Sequence, residues 1–302
     1  MIDLENIYKK CNLCQRKCNI NRYEKKGVCG ANNVLKIARA ALHYWEEPCI
    51  SGENGSGTIF FSNCNLKCIF CQNKKISTYG YGKKITIEKL ANICLELQNQ
   101  GANNINLVTP THYVPSIIKG IKKAKKKGLN IPIIYNTSSY ETIQTLDLLE
   151  NIIDVYLPDL KYYDDQLAIE YSNIKNYFNT ATKNIEKMYK QVGKNKFDSN
   201  GLIQKGLIVR VLLLPGHLND AKKIIKYLYD KYKDNIYISI MNQYTPIGKV
   251  EKYINLNRKV TEEEYDELVD YACDLGIKNA FIQEEETQSE SFIPEFNLQG
   301  IK

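Results

Sequence analysis

The sequence contains no apolar run long enough to cross a membrane: its longest candidates, such as Ile203 to Leu214, are broken by Lys205 and Arg210 and fall short of the roughly 20 residues a spanning helix needs. Nor do residues 1–10, a mixture of acids, amides and lysines, carry the apolar stretch and small-residue cleavage site of a secretory signal. A cytoplasmic protein with no membrane partner is therefore expected. Arginine is scarce, five of the 41 basic residues, so the net charge of +7 rests on lysine. The densest lysine run, Lys122 to Lys127, follows Ile117, Ile118 and Ile121 and surrounds Ala124 at helical spacing, which reads as a solvated helix face. No nucleic-acid module is recognisable, and nucleic acid is not an expected partner. Gly52, Gly55 and Gly57 do not follow GxGxxG order and precede a strand rather than a helix, so they mark a turn and not a dinucleotide site. There is no internal repeat and no low-complexity linker.

Cysteine, by contrast, is plentiful. Ten cysteines in a chain expected in a reducing compartment argue for metal rather than disulfides. Eight lie at or before Cys71, leaving Cys94 and Cys273 late and isolated. Cys49, Cys94 and Cys273 are expected to be packing residues. Beyond that region apolar β-branched runs alternate with amphipathic stretches. The expected strands are Thr58 to Ser62, Asn104 to Val108, Ile131 to Tyr135, Ile153 to Leu157, Leu207 to Leu214 and Ile236 to Met241, with a last short run at Asn279 to Ile282. Helical patterns lie at Ile87 to Gln100, Ser116 to Lys127, Tyr140 to Glu150, Gln166 to Tyr171, Ala181 to Val192, Asp220 to Tyr232 and Glu262 to Leu275, and the polar stretch Lys194 to Gly201 reads as a loop. This cadence predicts an α/β fold with a parallel sheet. Six units rather than eight give a partial (β/α)6 TIM-like barrel with its site at the carboxyl ends of the strands; an open doubly wound sheet is the alternative. The 302 residues, 43% hydrophobic and 25% charged, suffice for one large core plus an appendage: a cysteine-rich extension over residues 1–50 and a barrel over residues 51–302.

The chemistry concentrates in Thr58 to Asn73, TIFFSNCNLKCIFCQN, where a strand runs directly into CxxxCxxC at Cys64, Cys68 and Cys71. Three thiolates suit iron-sulfur ligation. A closed zinc site requires a fourth ligand nearby, and the next cysteine, Cys94, falls on a predicted helix. One iron of a 4Fe-4S cluster is thereby left a coordination position that the amino and carboxylate groups of S-adenosyl-L-methionine (SAM) can fill. An electron entering the sulfonium then breaks a carbon-sulfur bond, giving methionine and a 5′-deoxyadenosyl radical, while the protein orients and shields the reaction. Phe70, between Cys68 and Cys71, is placed to pack on adenine or in the core.

The motif is similar to that of the radical SAM superfamily, and the surrounding sequence resembles, nearly end to end, the PflX family of pyruvate formate-lyase activating enzyme-like proteins. The resemblance covers CNLCQRKC at Cys11 to Cys18, ARAALHYWEEPCISGENGSGTIFFSNCNLKCIFCQN from Ala38, INLVTPTHYVP from Ile105 and YLPDLKYYDD from Tyr156. It continues in IVRVLLLPG from Ile208, MNQYTP from Met241 and the carboxyl-terminal IPEF. It implies the partial barrel, a single site-differentiated 4Fe-4S cluster and SAM, with an electron donor such as flavodoxin or ferredoxin. Where related enzymes carry a Gly-Gly-Glu-like segment for the SAM amino group, this chain departs from the pattern with Thr109, Pro110 and Thr111, whose hydroxyls and carbonyls still accept hydrogen bonds. Asp159 and Lys161, in DLK, correspond to groups beside SAM in glycyl-radical activating enzymes. In these relatives Val211 is often His, so a role that depends on that imidazole is absent.

Other site candidates come from position alone. Asn136, Thr137 and Ser138 end a strand, either to bond SAM or to cap the next helix. Arg210 interrupts an apolar strand and requires an anionic ligand or a structural acid; the ligand is the favoured reading. Gln243 and Tyr244 line the floor, and His112 either faces substrate or, more commonly for such a residue, sits at the surface or caps a helix. Cys11, Cys14, Cys18 and Cys29 supply four thiolates for a zinc site or a second iron-sulfur cluster, and spacing does not choose between them. The leading function is hydrogen-atom abstraction by the SAM-derived radical, with a glycyl-radical protein as the partner substrate. Radical modification of a small molecule or another peptide is the second reading, and a non-enzymatic iron-sulfur or zinc module the third.

Overall fold

The computed structural model describes residues 3–247, 250–283 and 294–301; Ile293 of the IPEF segment lies outside them. The strands are β1 (Lys36–His43), β2 (Ser56–Phe61), β3 (Lys83–Lys84), β4 (Ile105–Val108), β5 (Ile133–Thr137), β6 (Val155–Pro158), β7 (Lys196–Phe197), β8 (Ile203–Leu212), β9 (Tyr237–Met241) and β10 (Ala280–Ile282). They form one sheet in the order β10-β9-β8-β6-β5-β4-β2-β1-β3, with β7 beside β8. From β2 through β10 along this path every neighbouring pair is parallel, and helices such as Ile87–Asn99, Val114–Lys126, Tyr177–Val192 and Leu218–Tyr232 make the crossovers. A doubly wound sheet reverses its strand order at a switch point; this order advances steadily, as a partial barrel requires.

Side chains alternate along each strand. Ile59 and Phe61, Ile105 and Leu107, Ile133 and Tyr135, and Val209 and Val211 face the helix layer and join the main core. The opposite face lines the barrel interior, where Ile134, Val155, Leu157 and Ile208 meet Cys49 and Ile50. The latter two ride on a one-turn helix, Pro48–Ser51, so the segment leaving β1 plugs the barrel from below. The lysine-bearing helix Val114–Lys126 buries Ile117, Ile118, Ile121 and Ala124 and projects its lysines outward, as its pattern foretold. No helix among the described residues is long and apolar enough to cross a membrane.

Four expectations need correction. β1 lies within residues 1–50 but pairs antiparallel with β2, so the boundary at residue 50 does not separate the extension from the barrel sheet. The helix expected from Tyr140 begins at Ile143, because residues 140–142 bind the amino-terminal segment: Gln15 N donates to Tyr140 O (3.1 Å) and Thr142 N to Leu13 O (3.2 Å). The loop at 194–201 contains the short strand β7. Cys94 and Cys49 are buried as expected, but Cys273 is exposed on the outer face of its helix.

Candidate active site

β2 ends at Phe61 and the chain turns through a loop bearing Cys64, Cys68 and Cys71 before a one-turn helix, Lys74–Ser77. Asn63 and Lys67 adopt positive φ, 76° and 62°, and Asn63 N donates to Ile76 O at 2.8 Å, closing the loop on itself. All three thiols line one cavity of about 310 Å³ at the carboxyl ends of the strands. Donors point at each sulfur. Ser172 Oγ lies 2.9 Å from Cys68 Sγ, Ser77 Oγ 3.3 Å from Cys71 Sγ and Leu66 N 3.4 Å from Cys64 Sγ. Burial pushes the Cys64 thiol up to about 12 and raises that of Cys71, so without a metal they stay protonated; a bound cation reverses that balance.

These residues fit an iron-sulfur cluster. The loop brings three thiols to the cavity, one short of the four ligands of a closed zinc site. A four-iron cluster spreads its thiolates over a larger body, and hydrogen bonds to its sulfurs are the usual means of tuning it.

Around the thiols the cavity wall carries Phe70, Thr109, Asn136, Thr137, Ser138, Asp159, Lys161, Arg210, Gln243 and Tyr244, so nearly every sequence candidate is brought to one place. Phe70 meets both of its readings: it lines the cavity and also packs edge-on against Tyr162 and Tyr171. Thr109 has φ of 58°, a conformation held by Thr109 N donating to Asn136 O at 3.0 Å. Lys161 Nζ donates to Asp159 Oδ2 at 2.7 Å. Burial works against the lysine's charge, but Asp159 and Cys68 outweigh it and hold the ammonium well above its ordinary value. Tyr177, a buried residue the sequence gave no reason to single out, donates to the carbonyls of Ser138 and Asp159, 3.1 Å each, and accepts from Lys161 N at 3.0 Å. Gln72 of the cysteine loop donates to Gln243 O at 2.6 Å, tying the loop to the end of β9. None of residues 136–138 caps a helix.

Three candidates turn out differently. Thr111 faces away from the cavity; its hydroxyl donates to Glu141 Oε1 at 2.7 Å, alongside donations from Thr137 and Tyr135 to the same oxygen. His112 is neither at the surface nor against the cavity: it is buried, with Nε2 2.8 Å from Ser62 O. Arg210 reaches the cavity wall, but the anions that face it are structural. Its Nε donates to Glu47 Oε1 at 2.8 Å, and Nη2 pairs with Glu46 and, at 2.7 Å, with Glu47. Burial opposes the guanidinium charge, and the two carboxylates more than offset it. The signal was present in the sequence: a buried arginine demands a counterion, and the adjacent Glu46 and Glu47 were available to supply one.

A family model described as the Radical SAM superfamily matches residues 58–228, more than half of the chain. The sequence is 31% identical over 278 residues to an uncharacterised protein of Methanocaldococcus jannaschii, covering 89% of this chain and 75% of the relative. Among solved structures it is similar to Streptococcus suis SuiB bound to precursor peptide SuiA, with a TM-score of 0.52 and 14% identity over 74% of this chain and 47% of that one. It is also similar to HydG, a maturase of the FeFe-hydrogenase, with a TM-score of 0.51 and 14% identity over 76% of this chain and 52% of that one. The chain thus spans about half the length of either structure, and likeness at this identity speaks to fold alone. The family match, whose span takes in the cysteine loop, is decisive: the chain belongs to the radical SAM superfamily, whose chemistry implies a 4Fe-4S cluster at which SAM is cleaved.

Proposed function

We propose that the chain abstracts a hydrogen atom from a glycine of a partner protein, with SAM held over Cys64, Cys68 and Cys71. A bound cluster would supply one electron from an external donor, such as flavodoxin or ferredoxin, for cleavage of SAM to methionine and a 5′-deoxyadenosyl radical. Hydrogen transfer from the glycine would then leave 5′-deoxyadenosine and a glycyl radical. The chain's own residues would bind and shield. Thr109 and the strand-end carbonyls would accept from the SAM amino group, and Lys161, steadied by Asp159, would pair with its carboxylate. Asn136 and Ser138 would bond the ribose hydroxyls, Phe70 would pack on adenine, and Gln243 would line the floor. Thr111 and Arg210, committed to internal acids, act from behind this layer.

The observation that carries the reading is the exposed aromatic surface beside the cavity. Trp45 lines both this cavity and a neighbouring surface groove with Arg39, Tyr44 and Gln299, and Tyr44 and Trp45 are 50% and 59% exposed. A polypeptide can rest on those rings while its tip reaches the cavity. The test is anaerobic incubation of the reduced, cluster-loaded protein with SAM and a purified glycyl-radical protein. A glycyl radical signal with matching 5′-deoxyadenosine is expected. Deoxyadenosine formed without any protein radical would overturn the partner reading in favour of a small-molecule or peptide substrate.

A further inference from the structure

Cys11, Cys14, Cys18 and Cys29 are a second set of thiols, none of them on the cavity wall. Their loop is folded for it: Cys11 N donates to Ile20 O and Asn19 N to Cys11 O, both at 2.9 Å, while Lys17 and Asn19, on either side of Cys18, take φ of 42° and 52°. Gly27 is the cradle. A Cβ there would stand 3.3 Å from Cys29 Sγ and 3.6 Å from Cys18 Sγ, so both sulfurs lie beside Gly27 and glycine leaves the Cys29 sulfur its room. Cys11 and Cys29 are buried, and Cys14 and Cys18 are half-buried.

Against this nest lies Arg22, fully buried at 0% exposure. Its terminal nitrogens donate to the carbonyls of His112 and Asn32, and one reaches 3.9 Å from Cys11 Sγ. Its Nε has no partner. Among the described residues its side chain bonds to no carboxylate, and buried His112, held neutral, offers no negative charge. A buried guanidinium without a counterion is costly, so an anion belongs beside it.

We propose that these four cysteines bind a second metal centre, whose net negative charge is the counterion of Arg22. Four thiolates leave either an iron-sulfur cluster or a single zinc ion anionic. With four protein ligands such a centre has no position for SAM. It braces the first centre instead: Arg16, between Cys14 and Cys18, donates to the carbonyls of Asn65 (2.9 Å) and Leu66 (3.3 Å) in the Cys64 to Cys68 loop, and to those of Ser172 (3.1 Å) and Asn173 (2.6 Å).

The inference is independent of the glycyl substrate and is tested by metal content. The full chain carrying Cys64→Ala, Cys68→Ala and Cys71→Ala is reconstituted anaerobically with iron, sulfide and equimolar zinc. One metal centre per chain is expected, either as about four irons with about four sulfides or as one zinc without sulfide, the content telling the two apart; a folded, metal-free variant would overturn the centre. If that variant does not fold, Cys11→Ser with Cys14→Ser in the otherwise intact chain gives the answer. It should keep about four irons per chain and lose the metal of the second centre, whereas a metal content equal to that of the intact chain would sink the proposal. Arg22→Met should speed metal loss to a chelator at this centre alone; unchanged retention would remove Arg22 as its counterion.

Discussion

Two thiol-bearing loops lie against each other in this protein, and they differ in what surrounds their sulfurs. The loop at residues 64–71 presents three thiols to a cavity and surrounds them with the neutral donors Ser172, Ser77 and the Leu66 amide, and the cation nearest them, Lys161, already has its carboxylate in Asp159. The loop at residues 11–29 presents four, none of them on the cavity wall, and packs a buried cation beside them. Three thiols and an opening make a place for chemistry; four thiols and a counterion make a brace. The same residue type at nearly the same spacing is thus assigned its task by access and by neighbouring charge.

The sharpest break in that comparison is expected from single thiol removals. Cys68→Ala should abolish 5′-deoxyadenosine formation entirely, while Cys18→Ala should leave part of it, measured by chromatography after anaerobic reduction with SAM. Equal loss in both would mean the two loops are one functional unit. Next in size is Arg22→Met. It should lower the melting stability of the metal-loaded chain more than that of the stripped chain, by about 1–3 kcal/mol, because only the loaded form supplies the anion that offsets the buried charge. A larger loss in the stripped form would contradict the charge argument.

His112 joins the two regions, with its carbonyl on Arg22 and Nε2 on Ser62 O just ahead of the cysteine loop. Burial, aided by Arg22, pushes its ionisation down from 6.5 to about 3. The neutral ring therefore contributes stability that is full above pH 6.5 and is lost as pH falls towards about 3, with a slope of up to ~1.4 kcal/mol per pH unit. His112→Gln should flatten that acid limb in urea titrations across the same window; an unchanged slope would mean His112 is not its source. The smallest effect is electrochemical. Tyr162 OH and Ser172 Oγ lie 2.7 Å apart, and Ser172 in turn donates to Cys68. Ser172→Ala should lower the midpoint potential of the first cluster by about 40 mV, the one-electron equivalent of a ~1 kcal/mol hydrogen bond. No shift by redox titration would show that the hydroxyl does not tune the cluster.

Much of this was legible in the sequence, and the exceptions share a cause. The parallel strands and the cysteine loop announce themselves through contiguous residues: apolar β-branched runs for one, CxxxCxxC for the other. β1, KIARAALH, lacks that β-branched character and owes its strand to the partner β2, an influence invisible locally. Thr111 and His112 were misplaced because the turn after β4 becomes a buried 3-10 helix, Thr111–Tyr113, pinned from outside by Glu141 and Arg22. Arg210 was flagged correctly as needing an anion, but its partners lie 163 and 164 positions away. Tyr177 was missed for the same reason, since a lone tyrosine in a helix gives no sign that it organises three strand-end backbone groups.

The plug formed by residues 46–51 carries Glu46 and Glu47 to Arg210 and sets Cys49 and Ile50 under the cavity, yet it shares no residue with the cysteine loop or with the strand ends that face SAM. The plug is therefore one short stretch that, with Arg210, sets the charge at the base of the chamber. Substitutions at residues 46–51 reshape that base without altering any of the three thiols above it.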